Sequence, residues 1–218
     1  MKLRVNISIK VGRVVKYLVL SDLFLLLGWG LIDPVFSVFI IEHIAGATLI
    51  TVGIAAAVYW ILRSALEIPI ANYLDRTLGE KDDLMALVGG LFLAGFSALA
   101  FSVIDKEWEL YVVQVIHAVG FALYLPSWSS IFSRHLDHDR VSFDWSLDST
   151  VAGFAAGVSG LLAGIVAAEW GFATVFVAGG LLSLVAAFVL MCAPNLVLPK
   201  PTEAGVQMKD KTPAAAGM

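Results

Sequence analysis

Asp22, Asp33, Arg63, Glu67 and His117 interrupt long apolar runs of this sequence. An ionisable group at the centre of a membrane helix costs about 2.5–3.5 kcal/mol on insertion scales, so groups retained there should face protein or water. Asp33 has no basic residue within one helical turn, which suits a proton site or the partner of a cation. Arg63 and Glu67 are four residues apart, with Tyr59 four residues before Arg63, so the three stack on one helical stripe. Glu67 is thus a second candidate proton or cation site, and mutual neutralisation with Arg63 is the alternative reading. At 100° per residue Asp22, Trp29 and Asp33 fall within about 40° of one another. Gln114, His117, Phe121, Tyr124 and Trp128 share a face in the same way. A stripe of aromatic and hydrogen-bonding groups is what a ligand-pocket wall needs. We therefore take Trp29, Tyr59, Arg63, Gln114, His117, Phe121, Tyr124 and Trp128 as candidate cavity-lining residues. The competing readings are an interhelical hydrogen bond for His117 and contact with interfacial water for Asp22.

Catalysis finds no support in the residue pattern. There is no phosphate-binding glycine loop, nucleophile elbow or HExxH motif, which argues against ATP hydrolysis and intramembrane proteolysis. The HLDHD stretch (His135 to Asp139) contains metal-capable residues but reads as a solvated loop. Cys192, the single cysteine, lies in an apolar run and reads as packing. We expect no catalytic residue, no cofactor, no metal and no nucleic-acid partner.

The elements that position these residues follow from composition. Of the 218 residues 59% are hydrophobic and 15% charged, against about a quarter charged in soluble domains, so the expected solvent is lipid. Six apolar stretches, each near the length of about 20 residues that spans a bilayer, run Tyr17–Ile41, Leu49–Leu74, Leu84–Ile104, Leu110–Phe132, Leu147–Ala168 and Phe172–Ala193. The sequence thus divides into a basic N-terminal segment (1–16), an all-α six-helix transmembrane bundle (17–193) and a polar tail (194–218) expected to be disordered. The start resembles a signal peptide, but it lacks a small-x-small cleavage site and continues into a full-length span, so we read it as retained.

Basic residues give the orientation. Lys2, Arg4, Lys10, Arg13 and Lys16 precede the first span; Arg76 and Lys81 follow the second; Arg134 and Arg140 follow the fourth; Lys200, Lys209 and Lys211 lie in the tail. Twelve of the 14 Lys and Arg therefore share one side, with Lys106 opposite and Arg63 inside a span. By the positive-inside rule both termini are cytoplasmic in a multi-pass protein of the cell membrane. The third and sixth spans carry no ionisable residue and are expected to face lipid. On the fifth, Gly153, Gly157, Gly160 and Gly164 share a face that would let another helix approach closely, and Asp148 is placed to cap its start. Pro34, directly after Asp33, should weaken the local helix.

The loop ANYLDRTLGEK resembles the G-x-x-x-D-R-x-G-R/K signature between the second and third helices of major facilitator superfamily transporters, with Asp75, Arg76 and Gly79 in its positions, Ala71 for the first glycine and one extra residue before Gly79. The stretch QVIHAVGFALYLP is similar to the fourth-helix pattern R-x-x-x-G-x-G ending in proline, with Gln114 at the arginine position. GFAAGVSGLLAG partly resembles the antiporter glycine-proline motif, with Val158 in place of the proline. The resemblance covers Tyr17 to about Pro194 and implies one six-helix half of that fold, with the first, second, fourth and fifth helices lining the path. We expect a half-size secondary transporter of a small organic or drug-like solute, working by alternating access, with Asp33 as the candidate site for proton coupling. Two copies in a parallel C2 homodimer would rebuild a twelve-helix machine; pairing with a different half and a non-transporting scaffold are the alternatives.

Overall fold

In a computed structural model, residues 11–76 and 79–193 are described, and all regular structure among them is helical. Five helices follow in order: α1 (Arg13–His43), α2 (Leu49–Leu74), α3 (Lys81–Phe101), α4 (Glu107–Arg134) and α5 (Val141–Met191). All five are long and apolar enough to cross a membrane. α1 starts four residues ahead of the apolar run, taking in Arg13 and Lys16. Residues 1–10 and the tail from 194 lie outside the described residues. So does any test of the tail's expected disorder.

The fifth and sixth apolar stretches fall on α5, which is two helices joined directly at a kink and ends at Met191. As a straight rod α5 would measure about 77 Å, more than twice the roughly 30 Å hydrocarbon core. It is not straight, because Gly171 adopts φ 78° and ψ 166° and breaks it. The positive φ is why glycine stands there; a side chain would be strained. The arms on either side, 141–170 and 172–191, both reach the middle of α1. A Cβ on Gly30 would stand 3.3 Å from Ala156 Cα, and one on Gly28 would stand 2.6 Å from the Gly179 carbonyl.

Helix starts are written locally. Thr48 caps α2, its hydroxyl accepting from the Ile50 N–H at 3.2 Å while Thr51 Oγ1 accepts the Thr48 N–H at 3.0 Å. Glu109 serves α4 in the same manner, accepting the Asp105 and Lys106 N–H groups. At this end of the bundle the α1–α2 and α3–α4 turns are tied together. The Ala45 N–H donates to the Asp105 carbonyl at 2.9 Å, and the Thr51 hydroxyl donates to Glu107 at 2.8 Å. At the other end, Arg134 at the close of α4 pairs with the buried Asp83 of α3 at 2.6 Å, and His135 meets Glu80 at 2.9 Å. His135, the C-cap of α4, is thus tied to Glu80, the N-cap of α3, instead of lying free in a loop.

Burial follows helix by helix. α1 packs chiefly on α5, α3 on α4 and α5, and α2 on α4. α3 buries Leu87, Leu91, Ala94, Ala98 and Phe101 while Met85 and Phe96 are exposed, so one face only is open. The arm 172–191 likewise buries Val175, Phe176, Gly179, Ser183 and Ala187. The most exposed elements are instead α2, with only Thr51, Ala55 and Leu74 buried, and the arm 141–170. The charge-free third and sixth stretches are therefore not the least packed within the chain.

Candidate functional site

A cavity of about 370 Å³ lies between α1, α2 and α4. Of the residues singled out in the sequence, Trp29, Asp33, Tyr59, Arg63, Gln114, His117 and Phe121 line it. Ser37, Ala56 and Trp60, all exposed, stand with Asp33 at its outer rim. Three helices contribute one face each, which is how residues 84 positions apart in sequence share one wall.

The wall is organised around His117. Its ring is sandwiched between Trp29 of α1 (centroids 4.0 Å apart, 4° between planes) and Tyr59 of α2 (4.2 Å, 20°). Phe121 meets both His117 and Trp29 edge-on at 5.0 and 5.3 Å. Offset-stacked and edge-to-face pairs each contribute about 0.5–1.5 kcal/mol beyond area burial, so this cluster fastens an otherwise lightly held α2 to α1 and α4. His117 Nδ1 lies 3.0 Å from Gln114 Oε1. An amide oxygen only accepts, so the imidazole proton sits on Nδ1 and the His117 bond is within α4, not between helices. His117 Nε2 and Trp29 Nε1 are buried without a hydrogen-bond partner among the described residues.

Charge in the cavity is unevenly compensated. Arg63 Nε–H donates to Glu67 at 2.7 Å and its Nη1–H donates to the Tyr59 hydroxyl at 2.8 Å. The guanidinium also lies over the Trp60 and Phe121 rings at 5.2 and 5.6 Å. Glu67 itself is outside the cavity lining, behind Arg63. Asp33 is exposed at the rim, and among the described residues no hydrogen bond or ion pair reaches its carboxylate. With Arg63 neutralised by Glu67, the cavity carries one uncompensated negative group. Pro34 does not interrupt α1, which runs unbroken past Asp33.

Two of the singled-out residues sit elsewhere. Tyr124 is buried and donates to Asp22, and Trp128 stacks on Phe132 with Trp145 at its edge. Asp22 is therefore buried and bonded within the bundle instead of reaching interfacial water. The physical reason is register. α1 and α4 run in opposite directions, so two turns back from Trp29 and two turns on from His117 arrive at one level. That step, from 29 to 22 and from 117 to 124, was available in the sequence once Trp29 and His117 were paired. Asp148 is also displaced from its expected role: α5 begins at Val141, leaving Asp148 two turns inside the helix. Asp75, Arg76 and Gly79 occupy the α2–α3 connection, with the Asp75 N–H closing α2 on the Ala71 carbonyl at 2.9 Å and Gly79 at φ 111°. The glycine face of α5 has no close neighbour among the described residues. A Cβ at Gly153, Gly157 or Gly164 would meet no atom within 4 Å, and one at Gly160 would only touch Pro34 at 3.9 Å.

The chain is thus a bundle of long apolar helices with a mostly apolar, aromatic-rich cavity that carries a few charged and hydrogen-bonding side chains. Residues 18–216 match the Major Facilitator Superfamily, and the chain belongs to that family. It is thus a multi-pass membrane protein of a transporter family and not of an enzyme family. It is 25% identical over 177 residues to the multidrug resistance protein MdtH of Baumannia cicadellinicola subsp. Homalodisca coagulata, covering 79% of this chain and 41% of that protein. Its fold is similar to the in meso crystal structure of PepTSo, a POT family transporter, with a TM-score of 0.73 at 13% identity. That match covers 89% of this chain and 40% of the solved one. The chain therefore spans about two fifths of the length of the proteins it matches.

Proposed function

We propose that this chain forms one half of a secondary transporter for a small organic or drug-like solute, and that a second copy supplies the other half. In this reading the two arms of α5 are separate crossings, which makes six in all. An even number puts both ends on the same, cytoplasmic side, as the basic residues favour. Parallel copies can then pair about a two-fold axis along the membrane normal, and rocking of one half against the other alternates access to the cavity. The observation that carries the proposal is the cavity itself, with Asp33 unpaired at its rim beside the least packed helices of the chain. The open glycine face supports it, because small residues at such spacing are where membrane helices meet. The aromatic wall and single uncompensated acid favour an amphipathic or weakly cationic solute, and a proton on Asp33 or Glu67 is the coupling ion. The Asp75–Arg76 loop acts as a latch away from the solute.

The matched proteins are longer, which favours a second reading in which a different half occupies the same face. Mass measurement of the complex drawn from native membrane separates the two: two identical chains, or one chain with an unlike partner. The transport proposal is tested in proteoliposomes with ethidium as solute. Uptake should depend on an imposed proton gradient and fall at least tenfold in Asp33→Asn. Wild-type uptake that ignores the gradient, or an unimpaired variant, contradicts the proposal.

A further inference from the structure

Two ring nitrogens in the cavity wall are unmatched. Trp29 and His117 line the cavity and are more than nine-tenths buried, at 5% and 8% exposure. Neither Trp29 Nε1 nor His117 Nε2 has a hydrogen-bond partner among the described residues. A buried polar atom left unpaired is unfavourable, and the great majority in folded proteins are paired. The two atoms differ in what they offer. Trp29 Nε1–H only donates, whereas His117 Nε2 accepts, because the ring proton is held on Nδ1 by Gln114 Oε1 at 3.0 Å. Gln114 lines the same cavity, one turn before His117 on α4.

Packing shows how His117 becomes reachable. Its ring is covered on one face by Trp29 and on the other by Tyr59. Trp29 belongs to α1, which packs along α5. Tyr59 belongs to α2, which buries only Thr51, Ala55 and Leu74. Tyr59 is therefore the cover that gives way most readily, and its withdrawal opens the α2 side of His117 to the cavity. What enters must suit the rest of the wall. Trp29, Phe36, Tyr59, Trp60 and Phe121 present aromatic surface there, which favours a flat ring. The acceptor at His117 Nε2 calls for a donor on that ring.

We propose that the cavity selects flat aromatic solutes bearing an N–H donor, that His117 Nε2 accepts this donor, and that Gln114 positions the imidazole by fixing its tautomer. This rests on the reading of the cavity as the solute site, and it names the feature by which that site chooses among aromatic solutes. An acceptor elsewhere on the solute is matched by Trp29 Nε1–H. The same ring without its N–H leaves His117 Nε2 unpaired in the bound state, and a site built to hydrogen-bond a donor rejects the analogue that lacks it. A His117 that served only in the aromatic stack would bind both forms alike.

Thionine and methylene blue form the test pair. Both are planar phenothiazinium cations at neutral pH, and methylene blue carries a methyl group in place of every amino hydrogen of thionine. Binding to the full chain in lipid nanodiscs is measured by equilibrium dialysis, with uptake by empty nanodiscs subtracted. Wild type should bind thionine about tenfold more tightly than methylene blue, the order of one unpaired buried acceptor. His117→Phe keeps a stacked ring and removes the acceptor, so its affinities for the two dyes should agree within about twofold. Gln114→Leu frees the tautomer and should weaken thionine about threefold with methylene blue unchanged, whereas a packing role would weaken both. A wild type that does not prefer thionine, or a preference that survives in His117→Phe and so reflects methyl bulk, overturns the selection rule and leaves the cavity reading standing. Failure of wild type to bind either dye overturns the cavity reading and this inference with it. If His117→Phe does not fold, Gln114→Leu decides: selective loss of thionine supports the rule, and equal loss or none overturns it.

Discussion

Glycine is used in two opposite ways in this bundle. Between helices it is compressed. A Cβ on Gly90 would stand 2.6 Å from the Gly120 carbonyl, and one on Gly180 would stand 2.7 Å from Leu99. On the arm 141–170 it is idle, with open space at Gly153, Gly157 and Gly164. The first set lets α3 pack against α4 and α5 at backbone distance, where no larger residue fits. The second has the same chemistry and spacing with nothing against it. The difference teaches that small residues alone do not say which contact they serve: some close the fold of one chain, and others have no contact within it among the described residues.

The largest effect should come from the compressed set. Gly90→Val drives a side chain into backbone atoms of α4, which cannot move away as a flexible side chain would. We expect loss of folded protein, or destabilisation of at least about 3 kcal/mol, at the upper end of overpacking costs. Thermal unfolding in detergent checks it, and a variant as stable as wild type would break the contrast. The idle set should respond the other way round. Gly157→Leu should leave the unfolding temperature of the detergent-solubilised monomer within a few degrees of wild type. It should nonetheless abolish pairing in a bilayer, seen as loss of crosslinking between copies.

A smaller effect separates the buried acid from the rim acid. Tyr124→Phe removes the donor to Asp22 and leaves a buried acceptor unmet, which costs about 1–3 kcal/mol. Asp33→Asn, with no bond to lose, should not lower stability while it removes uptake. The smallest expected effect is Thr51→Val, which loses one cap and its bond to Glu107, about 1 kcal/mol, and loosens the link between the two turns at that end.

Much of this was legible in the residues. Long apolar runs gave four of the helices nearly to their ends, since the hydrocarbon thickness sets their length. Helical spacing placed Trp29 with Asp33, and Gln114 with His117 and Phe121, because periodicity reports which residues share a face. It does not report depth along the axis, so Tyr124 and Trp128 were put on the cavity wall although they lie one to two turns beyond it. Nor does it report a missing loop. Between the fifth and sixth stretches the chain kinks at Gly171, the one position inside α5 with non-helical φ and ψ. Finally, the absence of charge on the third and sixth stretches says that lipid can cover them, not that it does. Packing against α4, α5 and α1 is equally available to an apolar face, and within this chain that packing is what they have.

The central claim is that the cavity beside α2 and the open face of α5 is completed by another copy. Counting fluorescently labelled chains in single bilayer patches that show uptake tests it most directly. Two chains per active unit, falling to one inactive chain in Gly157→Leu, is the predicted result. Uptake by patches that hold a single copy would contradict it.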